Sequence, residues 1–215
     1  MNILSIEFIV FKIGSYPLSL IELVGTLTGL LSVWWAARTN ILTWPSGIVN
    51  IFCFFLLFFQ TQLYSDMLLQ VFFLVSTAYG WRSWAKGAIG FKIEISSIRP
   101  QKWTLYLVLL LAGTLLWGLL MSNINQMLPQ LFPKKAALPY ADAFTAIASV
   151  IATFMLARKK WESWLLWVVV DAISVFVYFY KGLYVVAIEY IIFFGIAGYG
   201  LFNWYRKREK VERKL

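Results

Sequence analysis

Polar and ionisable side chains recur at helical spacing inside two strongly apolar stretches of this sequence. The stretch 43–84 carries Asp66 and Gln70, four residues apart, and the stretch 163–180 carries Asp171. Steps of three and four residues place side chains on one face of a helix. Because an unpaired polar group in hydrocarbon costs several kcal/mol, such side chains either hydrogen-bond to a neighbouring helix or face a polar cavity. The pattern favours a polar, aromatic-walled cavity for a hydrophilic solute.

The candidate substrate-binding residues are carboxylates, carboxamides and aromatic side chains from four predicted helices. They are Trp44, Asn50, Tyr64, Asp66, Gln70, Trp167, Asp171, Tyr178, Tyr184, Glu189 and Asn203. Aromatic faces attract cations, and Asn, Gln and Tyr satisfy hydroxyl groups, so these residues predict a neutral or cationic aromatic solute that bears hydroxyls. A phosphorylated solute would need an arginine cluster or a glycine-rich cradle, and neither is visible in the sequence.

The candidate residues differ in how far their positions specify a role. Asn50, Gln70 and Asp171 sit deep in their predicted helices, which favours the cavity over the membrane surface. Trp44 fits an aromatic belt at the membrane interface as well as it fits a residue that stacks on the solute. Glu189 lies a few residues inside the outer face of its helix and fits a gate as well as a binding site.

The composition describes a polytopic membrane protein. Of the 215 residues, 61% are hydrophobic and only 13% are charged, and the mean hydropathy is +0.74. There is no histidine, and Cys53 is the single cysteine, in an apolar run where it fits a small buried hydrophobe. Zinc, haem, Ser-His and Cys-His sites are therefore excluded, and the sequence predicts no catalytic residue, no metal and no cofactor.

Seven apolar segments have the length of roughly 17 to 25 residues that a membrane-spanning helix needs. They are Leu20–Ala37, Trp44–Gln60, Tyr64–Trp84, Trp103–Met121, Pro139–Ala157, Ser163–Tyr180 and Leu183–Tyr205. Residues 1–17 are too short and too often interrupted by polar residues to span, so we predict an interfacial amphipathic helix there.

Basic residues predict the orientation in the membrane. Fifteen Lys and Arg residues fall on the side that carries the C-terminus, against four on the other side. The excess of positive charge marks the cytoplasmic side, so the N-terminus is expected outside. The basic tail 206–215 is then a determinant of topology that can contact anionic lipid, and the net charge of +9 does not indicate a nucleic-acid partner.

An offset of 120 residues aligns the sequence with itself without a gap. It matches Glu22 with Asp142, the Ala-Arg pair at 37 with that at 157, and the Tyr-Gly pair at 79 with that at 199. The chain then divides into a first three-helix repeat (18–84), a cytoplasmic loop, linker helix and outer loop (85–138), and a second three-helix repeat (139–205). The predicted fold is all-α, with two parallel repeats joined by a linker helix in a 3+1+3 arrangement and a central site between the halves.

The motifs W-P-S-G-I-V-N, from Trp44, and L-Y-S-D-M-L-L-Q, from Leu63, resemble the PnuC-type bacterial vitamin B3 transporters over nearly the whole chain. The resemblance implies a fold related to the sugar-transporting SWEET proteins and a homotrimer in the inner membrane. It also implies uptake of nicotinamide riboside by facilitated diffusion, with metabolic trapping by cytosolic phosphorylation. A pyridinium cation joined to a ribose agrees with the carboxylates, aromatics and amides found above.

Three alternatives stay open at this point. Relatives of the family carry thiamine or riboflavin, so another vitamin is the first alternative. A membrane enzyme is the second, although without histidine only Asp and Glu could supply its acid and base. The third is a substrate-capturing subunit of an ATP-driven importer, which would not need two parallel halves.

Overall fold

The computed structural model describes residues 3–14, 16–60, 64–86, 94–130, 135–136, 138–180 and 184–212. Two strands and seven helices occupy these residues: β1 (Ile9–Ile13), β2 (Tyr16–Ser19), α1 (Leu20–Ala37), α2 (Thr43–Gln60), α3 (Tyr64–Lys86), α4 (Pro100–Met127), α5 (Pro139–Ala157), α6 (Ser163–Tyr180) and α7 (Tyr184–Glu212). Helices α1, α5 and α6 have the predicted bounds. Helices α4 and α7 run past the predicted spans. In α7 the residues 206–212, most of them charged and with good helix propensity, continue the helix.

Within the described part of the chain, six helices are long and apolar enough to cross a membrane. They are α1, α2, α4, α5, α6 and the stretch Ala187–Glu209 of α7. Helix α4 exposes apolar side chains along its length, with Leu105, Leu116 and Trp117 all more than two-fifths exposed, as expected for a helix that faces lipid. A seventh span over Tyr64–Trp84 stays a prediction.

The N-terminal segment is a β-hairpin, and the predicted amphipathic helix is wrong there. Strands β1 and β2 pair antiparallel from Ile9 opposite Ser19 to Ile13 opposite Tyr16. Glycine at position 14 adopts a φ of +62°, which other residues rarely adopt, and this supports the tight turn. The apolar residues of β1 are mostly β-branched, which favours a strand.

Polar contacts hold this N-terminal segment on the first two helices. The Tyr16 hydroxyl donates a hydrogen bond of 2.6 Å to a carboxylate oxygen of Glu22 in α1. Burial, and next this hydrogen bond, raises the pKa of Tyr16 to about 12. On α2, the Gln60 side chain accepts from the Ile6 amide at 3.0 Å and donates to the Leu4 carbonyl at 2.9 Å. Both the oxygen and the nitrogen of its amide group are therefore hydrogen-bonded to the N-terminal segment.

The chain forms two compact units, Met1–Ile93 and Glu94–Leu215. In the first unit α2 packs between α1 and α3, and in the second α6 packs between α5 and α7. The second unit also contains α4, which packs on α5. There the Tyr140 ring lies so close to Gly118 that no side chain would fit at that position.

The first helix of each three-helix set ends in the same way. Thr39 and Lys159, which are 120 residues apart, both have positive φ values, of 61° and 50°. The next residue in each case donates its amide hydrogen at 2.9 Å to a carbonyl of the last helical turn. This left-handed residue after a helix, with its backward hydrogen bonds, is a common way to satisfy terminal carbonyl groups.

Two pairs of buried indole rings join the second and third helices of each set. The rings of Trp44 and Trp84 meet edge to face, with centroids 5.2 Å apart and an interplanar angle of 88°. The rings of Trp164 and Trp204, again 120 residues further on, meet at 5.8 Å and 74°. None of the four is more than 5% exposed, so each pair pins the start of one helix to the end of the next.

A glycine in each third helix makes room for the buried indole, and this contact yields a prediction. A Cβ atom at Gly200 would lie 2.7 Å from the ring of Trp164, whereas one at Gly198 would meet nothing within 4 Å. Gly200→Ala should therefore destabilise the protein by about 1–3 kcal/mol through overpacking. Gly198→Ala, on the same helix, should be neutral or stabilise by about 0.5–1 kcal/mol.

The two variants are compared by their unfolding in detergent, followed by tryptophan fluorescence. Equal stabilities of the two alanine variants would contradict the proposed packing of Trp164 on Gly200.

Candidate substrate-binding site

Polar and aromatic side chains of α6 and α7 come together in the second unit. Asp171 and Ser174 of α6 are each only 4% exposed. One further turn along α6, the Tyr178 ring stacks on Tyr190 of α7, with centroids 5.2 Å apart and planes 17° from parallel. The two phenols also hydrogen-bond to each other. We call Asp171, Ser174, Tyr178, Glu189 and Tyr190 the α6–α7 cluster.

Two carboxyl groups belong to this cluster. Asp171 and Glu189 both lie near enough to Tyr190 to act on it electrostatically. A carboxylate beside a stacked pair of phenols combines negative charge with π-faces, and both features attract an aromatic cation. The phenolic hydroxyls and the Ser174 hydroxyl can donate to or accept from a sugar. The chemistry predicted from the sequence is therefore present in a single helix pair.

Tyr190 is a member of this cluster that sequence reasoning missed. Its ring contacts Tyr178 and, edge to face at 5.9 Å, Phe193. A signal for it existed in the sequence, because Tyr190 lies 120 residues after Gln70, which is a candidate. The same offset pairs Tyr178 with Phe58, so each second helix also carries an aromatic residue at the matching position.

Among the other candidates in the second unit, Asn203 lies far from the cluster. Thirteen residues of helix separate Tyr190 from Asn203, which corresponds to about 20 Å at 1.5 Å per residue. Asn203 instead lines a surface cavity of about 330 Å³ with Arg206 and Lys207. Trp167 is half-buried and one turn of α6 before Asp171. The side chain of Tyr184 lies outside the described residues.

Asn50, in the first unit, joins two helices. Its side-chain nitrogen donates a hydrogen bond of 2.8 Å to the carbonyl of Gly25 in α1. The helices are close at this point, since a Cβ atom on Gly25 would come within 3.1 Å of both Cys53 and Phe54. Helix-to-helix hydrogen bonding, the alternative considered for the buried polar residues, thus describes the amide group of Asn50.

The remaining candidates of the first unit are not gathered into one cluster. Trp44 is only 3% exposed, and its ring packs on Trp84 and Gly80. Gln70 is half-buried on α3. The side chains of Tyr64 and Asp66 lie outside the described residues.

Comparison with known protein families identifies the kind of protein to which this chain belongs. Residues 19–206 match the family model described as nicotinamide mononucleotide transporter. The chain belongs to this family. The resemblance predicted from the W-P-S-G and L-Y-S-D-M motifs is confirmed, and the transporter family together with the apolar helices identifies a multi-pass membrane protein.

Individual relatives of the chain are bacterial transporters. The chain is 34% identical over 223 residues to the nicotinamide riboside transporter PnuC of Escherichia coli, which covers 94% of this chain and 92% of the relative. It is 23% identical over 197 residues to the riboflavin/roseoflavin transporter RibM of Streptomyces davaonensis, covering 90% and 88% of the two chains.

A solved structure shows the fold. The crystal structure of the vitamin B3 transporter PnuC superposes with a TM-score of 0.64 at 20% identity, over 87% of this chain and 81% of the other. The helical architecture of this chain is therefore that of a known transporter.

The contact of Asn50 with Gly25 yields a prediction about stability. Asn50→Leu removes this hydrogen bond and should lower the free energy of unfolding by about 0.5–1.5 kcal/mol. Val49→Leu, at an exposed position beside it on α2, should leave stability unchanged and serves as the control. Unfolding of both variants is measured in the same detergent. A variant Asn50→Leu with wild-type stability and weakened solute binding would assign Asn50 to the solute and not to the helix contact.

Proposed function

We propose that this protein takes up nicotinamide riboside across the bacterial inner membrane. The observation that carries the proposal is the 34% identity, over almost all of both chains, to a protein named for that transport. The α6–α7 cluster supports the solute class, since it combines carboxyl groups with stacked phenols. Nicotinamide riboside carries a pyridinium cation on a ribose, and both parts find matching groups there.

In this proposal, different residues of the α6–α7 cluster recognise different features of the solute. Asp171 supplies the negative charge opposite the pyridinium ring, and Tyr178 and Tyr190 supply the aromatic faces. Trp167, Tyr184 and Glu189 are proposed as further contacts of the solute in the second unit. Asn203, about 20 Å along α7 from Tyr190, and the first-unit candidates Trp44, Asn50, Tyr64, Asp66 and Gln70 stay predictions from the sequence. Cofactors and metals take no part.

The phosphate of a mononucleotide would need a different set of groups. Phosphate recognition relies on arginine and lysine side chains. The α6–α7 cluster is made of carboxyl, hydroxyl and phenol groups, which supports the nucleoside over the mononucleotide, although the family model is described by the mononucleotide.

The architecture we propose is a 3+1+3 arrangement of SWEET type, with α4 as the linker helix. The recurrence of the helix end at Thr39 and Lys159, and of the two indole pairs, at an offset of 120 residues supports it. A homotrimer is part of the same proposal and follows from the family resemblance. Transport is by facilitated diffusion, and phosphorylation of the product in the cytosol traps it.

The alternatives have unequal support. A riboflavin transporter is among the relatives, so riboflavin stays the second candidate solute, with thiamine behind it. Membership of a transporter family supports transport over an intramembrane enzyme.

Uptake into proteoliposomes tests the function. Labelled nicotinamide riboside should enter faster than thiamine, riboflavin or nicotinamide mononucleotide, and without a kinase it should equilibrate without accumulating. The variant Asp171→Asn should lose roughly tenfold in affinity for the cation, about 1.4 kcal/mol, because the neutral amide removes the attraction between the carboxylate and the pyridinium charge. A neutral analogue with a reduced pyridine ring should lose less, because only the charge changes.

The matched control is Trp117→Leu, which lies on α4 with its ring 42% exposed and should bind like the wild type. Faster entry of riboflavin than of nicotinamide riboside would reject the proposed solute. Equal loss of affinity for the cation and its neutral analogue would reject the charge role of Asp171.

We further propose that the C-terminus is cytoplasmic, because fifteen of nineteen Lys and Arg residues fall on its side. In a Cys53→Ala background, a membrane-impermeant maleimide added to intact cells should label Ala136→Cys and leave Lys102→Cys unlabelled. Both positions are exposed in the structure. The opposite labelling pattern would invert the topology.

A further inference from the structure

A short segment before α4 is fastened to the turn between α5 and α6. We call Ile95–Ile98 the strap and residues 158–162 the α5–α6 turn. The two run side by side as a parallel bridge, in which the Ser96 amide donates to the Lys159 carbonyl at 3.1 Å and the Trp161 amide donates to the Ser96 carbonyl at 3.3 Å. All of these residues belong to the second unit.

Side chains add four hydrogen bonds to the bridge. The Lys160 ammonium donates to the Ser96 hydroxyl at 2.7 Å and to the Ser97 carbonyl at 2.9 Å. The Trp161 indole donates to the Ser97 hydroxyl at 3.1 Å. A Glu162 carboxylate oxygen accepts from the Ile98 amide at 2.8 Å. The strap is thus held by every one of the three residues that lead into α6.

Apolar contacts anchor one end of the strap. Ile98 is 5% exposed and packs in a cluster with Ile151 and Met155 of α5. Glu162 directly precedes α6, so the strap is attached to the very start of the helix that carries Asp171 and Tyr178.

Among the described residues, this fastening is found in the second unit and not at the equivalent turn of the first. At the offset of 120 residues, Asn40, Ile41 and Leu42 occupy the places of Lys160, Trp161 and Glu162. There the Asn40 side chain accepts from the Leu42 amide at 2.9 Å, so that turn closes on itself. The strap contact therefore does not follow from the repeated architecture.

The α5–α6 turn carries two opposite charges, those of Lys160 and Glu162. Glu162 is 3% exposed, yet its second carboxylate oxygen has no hydrogen-bond partner among the described residues. Lys160, two residues away, directs its ammonium at the strap. Burial lowers the pKa of Lys160, and Arg99, Lys102 and Arg158 also lower it, while the charge of Glu162 acts in the opposite sense.

In this structure Lys160 bonds to Ser96 and Ser97, and Glu162 bonds to Ile98. Release of the strap would free the Lys160 ammonium and the Glu162 carboxylate, two residues apart, to pair with each other, and this pairing would offset part of the cost of the lost hydrogen bonds. An element with two such arrangements is what a conformational switch requires.

We propose that the strap is a releasable latch, closed in this structure, which must detach from the α5–α6 turn for α6 to move during transport. The proposal rests on the transport function proposed above. Lids and loops of this kind often limit the rate of a cycle, so holding the latch shut should slow uptake.

A reversible disulfide tests the latch directly. Ser96 and Lys160 are bridge partners, a geometry within the Cα separation that a disulfide tolerates. The double variant Ser96→Cys, Lys160→Cys is made in a Cys53→Ala background and reconstituted into proteoliposomes. Nicotinamide riboside uptake should fall about tenfold or more on oxidation and recover on reduction. The two single-cysteine variants should respond to neither treatment.

Two results would overturn the latch. The first is equal uptake by the reduced protein and by the fully oxidised protein, with the disulfide verified by mass spectrometry. The second needs no solute: if the amide hydrogens of Ser96 and Ile98, which donate to Lys159 and Glu162, exchange as slowly as those in the middle of α6, the strap does not open. Failure of the wild type and of the reduced variant to transport the riboside rejects the proposed function instead, and the exchange measurement then decides the latch by itself.

Discussion

Close packing of an indole ring on a glycine of the neighbouring helix is the contact on which each unit depends. Within a membrane, helices gain nothing from hiding apolar surface from lipid, so association relies on shape and on small residues at the interface. Trp44 lies on Gly80, and Trp164 lies on Gly200, and in each case a second indole closes the contact. The third helix is thereby fixed against the second, and the polar residues between them acquire defined positions.

Much of this architecture was predictable from the sequence. The predicted bounds of α1, α5 and α6 are correct, because long apolar runs end at polar residues or at proline. Within such a run in lipid, a helix satisfies its backbone hydrogen-bonding groups by itself. The offset of 120 residues also makes Trp44 and Trp164 equivalent positions in the sequence. It did not show that both indoles are buried against glycine, since an aromatic residue near a helix end also fits the interfacial belt.

The errors and omissions have physical reasons. Strands β1 and β2 have only five and four residues, too few to separate a helical period from a strand period, so the hairpin was missed. Asn50 has a position deep in α2 that suits a cavity, but the direction of its side chain depends on how closely α1 approaches at Gly25. Tyr190 escaped notice because tyrosine is common in this chain and because its counterpart at the offset of 120 residues, Gln70, is not aromatic, whereas the structure distinguishes it by its stacking on Tyr178.

The two units therefore differ in the residues that we propose bind the solute, and they agree in the residues that pack the helices together. Packing residues recur at the offset of 120, whereas Asp171, Ser174 and Tyr178 stand opposite Ile51, Phe54 and Phe58 in the first unit. The strap lies on the same unit as Asp171 and is fastened to the three residues that precede α6, so release of the strap and contact with the solute would act on one helix.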